Sequence, residues 1–399
     1  MNVLSQKAPS FLDAWQSPQT LAAVSEMLGT SPRRLELERT HFPGKRPVQL
    51  VLRAIMPDGK YRSILAEQCP NDPGEHADHA RTSLSKSRNG QKLGLDDYAI
   101  QVVKGSDLIL RRPGLDERLP GLRLLHDPAF ARRTYQVLFA RDPGAVAVDL
   151  VAHRLGKRAV LRMMSPDTVF YVRLRAIKSN EGQDRLVLHQ KLWRCLAGQS
   201  GLSIPAPLGA MPEIGASFFG MLPGCPPDFG SSDSAAAARA ISALQALEPP
   251  ELPVHRGVDE ARILSEWLQR CHRWRPKLGS KIAPMVAQVN AELKNVNRPF
   301  LPCHRDLHEK QILISDGVAG LLDFDTLCLS DPALDAGNLL AHLFFAGVDE
   351  APLRSHLAES GITLWRRAAL LRLAMIYAFT STPTMALDRL IFEASNAKN

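Results

Sequence analysis

The hydrophobic positions of the chain change their period several times, and each change marks an element. Residues 1–34 carry a helical pattern that stops at Gly29-Thr30-Ser31-Pro32. Over 35–68 the pattern becomes strand-like, with short apolar or alternating runs separated by Pro43-Gly44 and Asp58-Gly59, the turn dipeptides of a meander. Residues 69–95 are polar and broken by Pro and Gly, which predicts a loop or a polar helix outside any core.

Part of this pattern recurs. The segment from Gly44-Lys45-Arg46 to Ile64 matches the one from Gly156-Lys157-Arg158 to Ile177 in having Gly-Lys-Arg, an apolar strand, an arginine and a Pro-Asp turn. The offset falls from 112 at Lys45 to 109 at Asp58, so the match needs one gap. Two similar three-stranded meanders explain it; a chance likeness between two arginine-rich hairpins is the other explanation. Leu188, Leu192 and Leu196 then recur every fourth position and predict an amphipathic helix over 184–196, followed by two short strands within 204–224. After Cys225 the texture is helical: an alanine-rich stretch over 231–247, a proline-rich break over 247–254, and helices within 259–295. The last third is helical too, apart from short strands around 301–340.

Composition narrows the class. A chain of 399 residues with 45% hydrophobic, 23% charged and 6% aromatic residues is an ordinary globular protein of two or three domains, which excludes disorder throughout. The longest apolar run, 339–348, contains His342 and is far short of the ~18 residues that span a membrane. The opening MNVLSQKAPSFLDAW has no apolar core followed by a small-residue cleavage site, so a cytoplasmic location is expected. Six cysteines without a CxxC pair read as reduced thiols, and the dipeptides Cys271-His272 and Cys303-His304 lack zinc-ligand spacing.

The net charge of +8 raises the question of nucleic acid. Residues 226–399 hold 18 Lys and Arg against 20 Asp and Glu, so the excess lies wholly in the first 225. There it is spread through strands with no dense block and no interleaved aromatics, which favours phosphate contacts or solvated faces over nucleic acid.

Candidate chemistry concentrates in 301–340. His304-Arg305-Asp306 is followed by Gln311, a hairpin turn at Ser315-Asp316-Gly317, and Asp323-Phe324-Asp325. A loop and the end of a short strand thus deliver two carboxylates, 17 residues apart, to one locality. This arrangement resembles the HRDLxxxxN and DFG segments of protein kinases, and more closely the aminoglycoside phosphotransferase family of kinase-like small-molecule kinases. Asp306-Leu307-His308, Leu322-Asp323-Phe324 and Asp331-Pro332-Ala333-Leu334-Asp335 stand where that family has its catalytic loop, metal-binding strand and Gly-Asp-Pro segment. The resemblance runs from about residue 142 to the C-terminus.

The resemblance implies a bilobal α+β protein-kinase-like fold, with a β-rich N-lobe over 141–224 and a helical C-lobe over 225–399; residues 1–140, which it does not cover, are expected to form an additional N-terminal α+β domain, an N-lobe-like meander if the internal match is a true repeat. It assigns Asp306 as the catalytic carboxylate beside the acceptor hydroxyl, and Asp323 as a Mg²⁺ ligand. Gln311 takes the place of the metal-binding asparagine, one methylene longer. His304 and Asp335 take structural roles that hold the loop. Strands are expected over 147–153, 158–164 and 168–176, with Arg173 supplying the phosphate-pairing charge and Lys178 as the alternative. The ion-pair partner on the following helix falls near His189, with Glu181 and Asp184 upstream. No GxGxxG loop is present, so Lys157 in the Gly156 turn is the candidate phosphate contact, and Met221-Leu222 the adenine-facing hinge. The implied activity is ATP- and Mg²⁺-dependent phosphorylation of a hydroxyl on a sugar, polyol or aminoglycoside-like molecule. The competing reading is a pseudokinase, a nucleotide- or metabolite-binding regulatory module.

Overall fold

The computed structural model describes residues 14–42, 47–69, 72–85, 95–177, 181–196, 201–248, 251–358 and 360–397, without the side chains of 181–185. The chain divides into two units, one made of 1–186, 208–220 and 379–381, the other of 187–207, 221–378 and 382–399.

The first unit opens with helix α1 (Pro18–Leu28), started by Ser17, whose side chain accepts the Thr20 N–H, and ended by Gly29 at φ 66°. Strands β1 (Arg34–His41), β2 (Gln49–Ile55) and β3 (Tyr61–Gln68) form an antiparallel meander. Helix α2 (Pro73–Ser85) occupies the polar stretch, and β4 (Ile100–Val102) and β5 (Leu108–Arg111) complete a sheet of order β1-β2-β3-β5-β4. Helices α3 (Pro120–Leu125) and α4 (Pro128–Phe139) lead to a second meander, β6 (Ala147–Arg154), β7 (Arg158–Met164) and β8 (Val169–Arg175). Most of α5 (Glu181–Cys195) and the short β9 (Leu202–Ser203) belong to the second unit, after which β10 (Pro207–Met211) and β11 (Ala216–Gly220) return to the first.

The second sheet has the order β6-β7-β8-β11-β10, so the two sheets share one connectivity: a meander, a helix, then a hairpin whose second strand pairs with the third strand of the meander. Even the bulge recurs, between Leu37 and Arg39 in β1 and between Leu150 and Ala152 in β6. The likeness that sequence shows in one strand and one turn thus extends to the order of five strands.

Alternation in β8 turns Phe170, Val172 and Leu174 into a core shared with Leu122 and Leu125 of α3 and Tyr135 of α4. Tyr171 and Arg173 therefore lie on the opposite face. Beneath the turn between β6 and β7, Gln49 Nε2 donates to the Leu155 carbonyl at 3.2 Å. Buried Asp116 accepts the Gly156 N–H at 2.6 Å and sits 3.0 Å from His153 Nε2. These bonds fix a turn that has a single glycine.

In the second unit the helices α6 (Asp233–Gln245), α7 (Gly257–Trp274) and α8 (Pro276–Lys294) precede two small β structures. Strand β12 (Leu301–Cys303) pairs with β15 (Cys328–Ser330), and between them β13 (Ile312–Ser315) and β14 (Val318–Leu321) form a hairpin, with β9 parallel to β14. Helices α9 (Ala333–Ala346), α10 (Ala351–Arg354), α11 (Ile362–Tyr377) and α12 (Thr384–Asn396) finish the unit. Helix α11 is central and buried on most sides, and its two inward arginines are paired: Arg366 with Glu350 and Glu393, Arg367 with Glu292. All six cysteines are free thiols. Among the described residues, no helix is long and apolar enough to cross a membrane.

Candidate active site

The hairpin of β13 and β14 sets the site. Its last rung pairs Ile312 with Leu321, and beyond it the Leu322 N–H donates to the Gln311 carbonyl at 2.9 Å. Gln311, opposite Leu322, and Asp323, the next residue, therefore both lie at the open end of one hairpin, though 12 positions apart in sequence. Asp323 takes the left-handed conformation, φ 61° and ψ 61°, which an aspartate adopts more readily than most residues because its short side chain bonds locally.

The segment 304–307, between β12 and the 3-10 turn Glu309–Gln311, brings Asp306 to the same place. His304 Nε2 lies 2.7 Å from the Leu322 carbonyl, and its ring centroid 5.0 Å from that of Phe324. A carbonyl only accepts, so His304 Nε2 is the donor of this bond. On the other side, the two carboxylate oxygens of Asp335 accept the N–H groups of His304 and Arg305 at 2.6 and 2.7 Å. Arg305 has φ 71°, and these bonds stabilise a backbone that arginine rarely adopts. Burial pushes the Asp335 carboxyl up, while the charge of His304 and the two N–H groups pull against it. His304 and Asp335 thus have the holding role expected of them, and the Asp306 carboxylate is left exposed at the tip.

A buried polar chain supports this loop from behind. Asn338 Nδ2 donates to the Leu307 carbonyl at 2.8 Å, Arg372 donates to Asn338 Oδ1 and to Glu260, and His255 Nε2 sits 3.1 Å from Glu260. Burial alone would raise the Glu260 pKa; Arg372 first, then His255, outweigh it and hold the carboxyl at about 2. None of these four residues stands in the motif, and they were not legible in sequence. They come from α9, α11, α7 and the segment before it, so only packing assembles them.

The expected hinge docks on the same hairpin. The Cys225 N–H donates to the Ile314 carbonyl at 3.0 Å, and the Ile314 N–H returns a bond to Cys225 at 2.8 Å. Gly224, at φ 124°, lies so near that a Cβ would come within 2.7 Å of the Ile314 oxygen. Leu222 is buried against Gly320, while Met221 is exposed. The structure therefore brings together Asp306, Gln311, Asp323 and the 221–225 segment, all within the second unit.

A profile of the phosphotransferase enzyme family matches residues 94–371, more than half of the chain. The protein belongs to the phosphotransferase enzyme family. No curated protein matches the sequence. Among solved structures, a choline/ethanolamine kinase family protein from Mesorhizobium loti is similar over 63% of this chain and 87% of its own, at 15% identity and TM-score 0.46. A choline kinase from Streptococcus pneumoniae covers 67% of this chain and 98% of its own, at 12% identity and TM-score 0.49. For a macrolide 2'-phosphotransferase from Brachybacterium faecium the values are 65%, 94%, 16% and 0.43.

The β-rich first unit and mainly helical second unit of this phosphotransferase give it the kinase-like α+β fold that its motifs implied. Its remaining candidates fall on several elements. Arg173, on β8, stacks its guanidinium 5.6 Å from the Phe219 ring centre within the first unit. Lys157 is exposed on the β6–β7 turn, its N–H bonded to the Arg154 carbonyl at 3.0 Å. Lys178 and the side chains of Glu181 and Asp184 lie outside the described residues. His189 is buried in α5, where Nε2 lies 2.7 Å from the Pro205 carbonyl and the ring meets Phe324 edge-on. His308 caps the 3-10 turn by accepting the Lys310 N–H at Nδ1, and its Nε2 is 3.2 Å from the Gln311 amide nitrogen.

Proposed function

We propose that this phosphotransferase moves the γ-phosphoryl group of ATP, in a Mg²⁺-dependent reaction, to a hydroxyl of a small molecule of the sugar, polyol or aminoglycoside class. The observation that carries the reading is the contact of His304 Nε2 with the Leu322 carbonyl, which joins the loop of Asp306 to the strand end of Asp323. Asp323 and Gln311 offer a carboxylate and an amide oxygen, the hard donors that suit Mg²⁺ and would hold it. The bound cation supplies charge neutralisation at the phosphates. Asp306, exposed and on a braced loop, orients the acceptor hydroxyl and takes its proton as the oxygen attacks phosphorus. Met221 and Leu222 are the hinge against which adenine would rest, and Arg173 and Lys157 are the phosphate-directed cations. Residues 1–140 are an additional domain with the N-lobe strand order. The reading goes with a cytoplasmic location.

The test is ATP consumption over a panel of sugars, polyols and aminoglycosides, with wild type, Asp306→Asn and Gln311→Ala side by side. Turnover above background in wild type that Asp306→Asn abolishes supports the reading. Equal background in all three proteins, with nucleotide binding indifferent to Mg²⁺ or absent, overturns it in favour of a binding module.

A further inference from the structure

Behind the catalytic loop, three side chains that phosphoryl transfer does not use converge on one point. Glu309 and His308 come from the 3-10 turn and its cap, and His342 from the third turn of α9. Their nearest donor atoms, one from each residue, all lie within 4.8 Å of one another. Glu309 Oε2 is 3.9 Å from His342 Nδ1 and 4.0 Å from His308 Nδ1, and the two imidazoles stack with centroids 5.0 Å apart at 23°.

These separations are too long for hydrogen bonds, and Glu309 Oε2 is a buried oxygen with no hydrogen-bond partner. A buried carboxylate oxygen left in that state calls for a ligand. We propose that His308, Glu309 and His342 form a binding site for a Zn²⁺-type divalent cation, separate from the Mg²⁺ ligands Asp323 and Gln311.

Two imidazoles and a carboxylate are the donor set that borderline transition metals select and that Mg²⁺, which demands oxygen, does not. Metal–ligand bonds of about 2.0–2.1 Å in a tetrahedron put donor atoms about 3.3 Å apart, so the two Glu309 separations close by about 0.6–0.7 Å and the third side, within 4.8 Å, by up to about 1.5 Å. Small rotations of three partly exposed side chains supply that movement. His308 gives up the Lys310 N–H it now accepts, and Lys310 Nζ, 3.9 Å from the other Glu309 oxygen, leaves Oε2 to the metal. The ion ties the loop that carries Asp306 to α9.

The probe is Co²⁺, titrated as its chloride into the metal-free full-length protein and followed by visible absorption. One equivalent should bind with a tetrahedral d–d band, and Zn²⁺ should displace it. His342→Ala and Glu309→Gln should each weaken Co²⁺ binding at least about tenfold. Asp323→Asn should leave it unchanged, which keeps this test independent of the phosphotransfer reading. Should His342→Ala fail to fold, Glu309→Gln decides alone. The inference is overturned by Co²⁺ affinity that Glu309→Gln leaves intact, by loss of the band in Asp323→Asn alone, or by a thiolate charge-transfer band placing the ion on cysteine.

Discussion

The 2.7 Å contact between His304 Nε2 and the Leu322 carbonyl couples the loop that bears Asp306 to the strand end that bears Asp323. Asp306 follows β12 and Asp323 follows β14, and this contact joins their segments together with the bond from the Thr326 hydroxyl to the His304 carbonyl at 2.8 Å. His304→Ala should therefore separate them: turnover falls at least about tenfold, by the steep cost of misplacing reacting groups. Steady-state kinetics with the wild type alongside will check this, and a variant with unchanged kcat would deny His304 its role.

Asp306→Asn removes the proposed base and leaves the loop bonds untouched, because the Asp306 carboxylate is exposed. Transfer should drop about 10²–10⁴-fold, the usual worth of a positioned base, with nucleotide affinity preserved. Calorimetry with Mg-ATP and a turnover assay on the same preparation separate the two effects.

Asp335→Ala should cost stability. It strips two buried backbone N–H groups of their acceptor, and each such group left unpaired costs about 1–3 kcal/mol. A loss of about 2–4 kcal/mol in urea unfolding is expected. A change below about 0.5 kcal/mol, the ordinary surface value, would mean that the loop finds other partners.

Acid should destabilise the protein through Glu260. Its carboxyl is held at about 2 in the folded state against 4.5 in the unfolded chain. The unfolded form thus takes up the proton first, so the stabilisation is complete above pH 4.5 and is lost as pH falls toward 2. The size is roughly 3 kcal/mol, from the linkage value of about 1.4 per pKa unit. Glu260→Gln should already be weaker at neutral pH, since Arg372 loses its buried partner, and should lose less across that window. Urea midpoints at pH 7, 4 and 2.5 for both proteins will show it.

Gly320→Ala should strain the hinge contact, because a Cβ there would lie 2.6 Å from Leu222 Cδ2 and 2.8 Å from Ser203 Oγ. Overpacking of this kind costs about 1–3 kcal/mol. Adding Leu222→Ala makes room on one side, so thermal midpoints of the single and double variants should reveal partial recovery.

Sequence alone determined what short spacing can carry. The meanders at 35–68 and 147–176, the helices after Cys225, and the pairing of Asp306 with Asp323 were all legible, since turn dipeptides, periodicity and a hairpin act over a few residues. The holding roles of His304 and Asp335 were legible through the motif. Tertiary structure decided the rest. Asn338, Arg372, Glu260 and His255 reach Leu307 from three helices and a loop, and no local pattern sets a buried arginine on α11 apart from an exposed one. The bonds that Gln49 and Asp116 make to the turn at 155–156 cross about 106 and 40 residues, beyond any periodicity. His342 looked like an interruption in an apolar run; it stands beside Glu309 only because α9 packs against the 3-10 turn. Partners so distant in sequence meet by burial of the helices and sheets between them, a free energy summed over whole faces and not written at any single position.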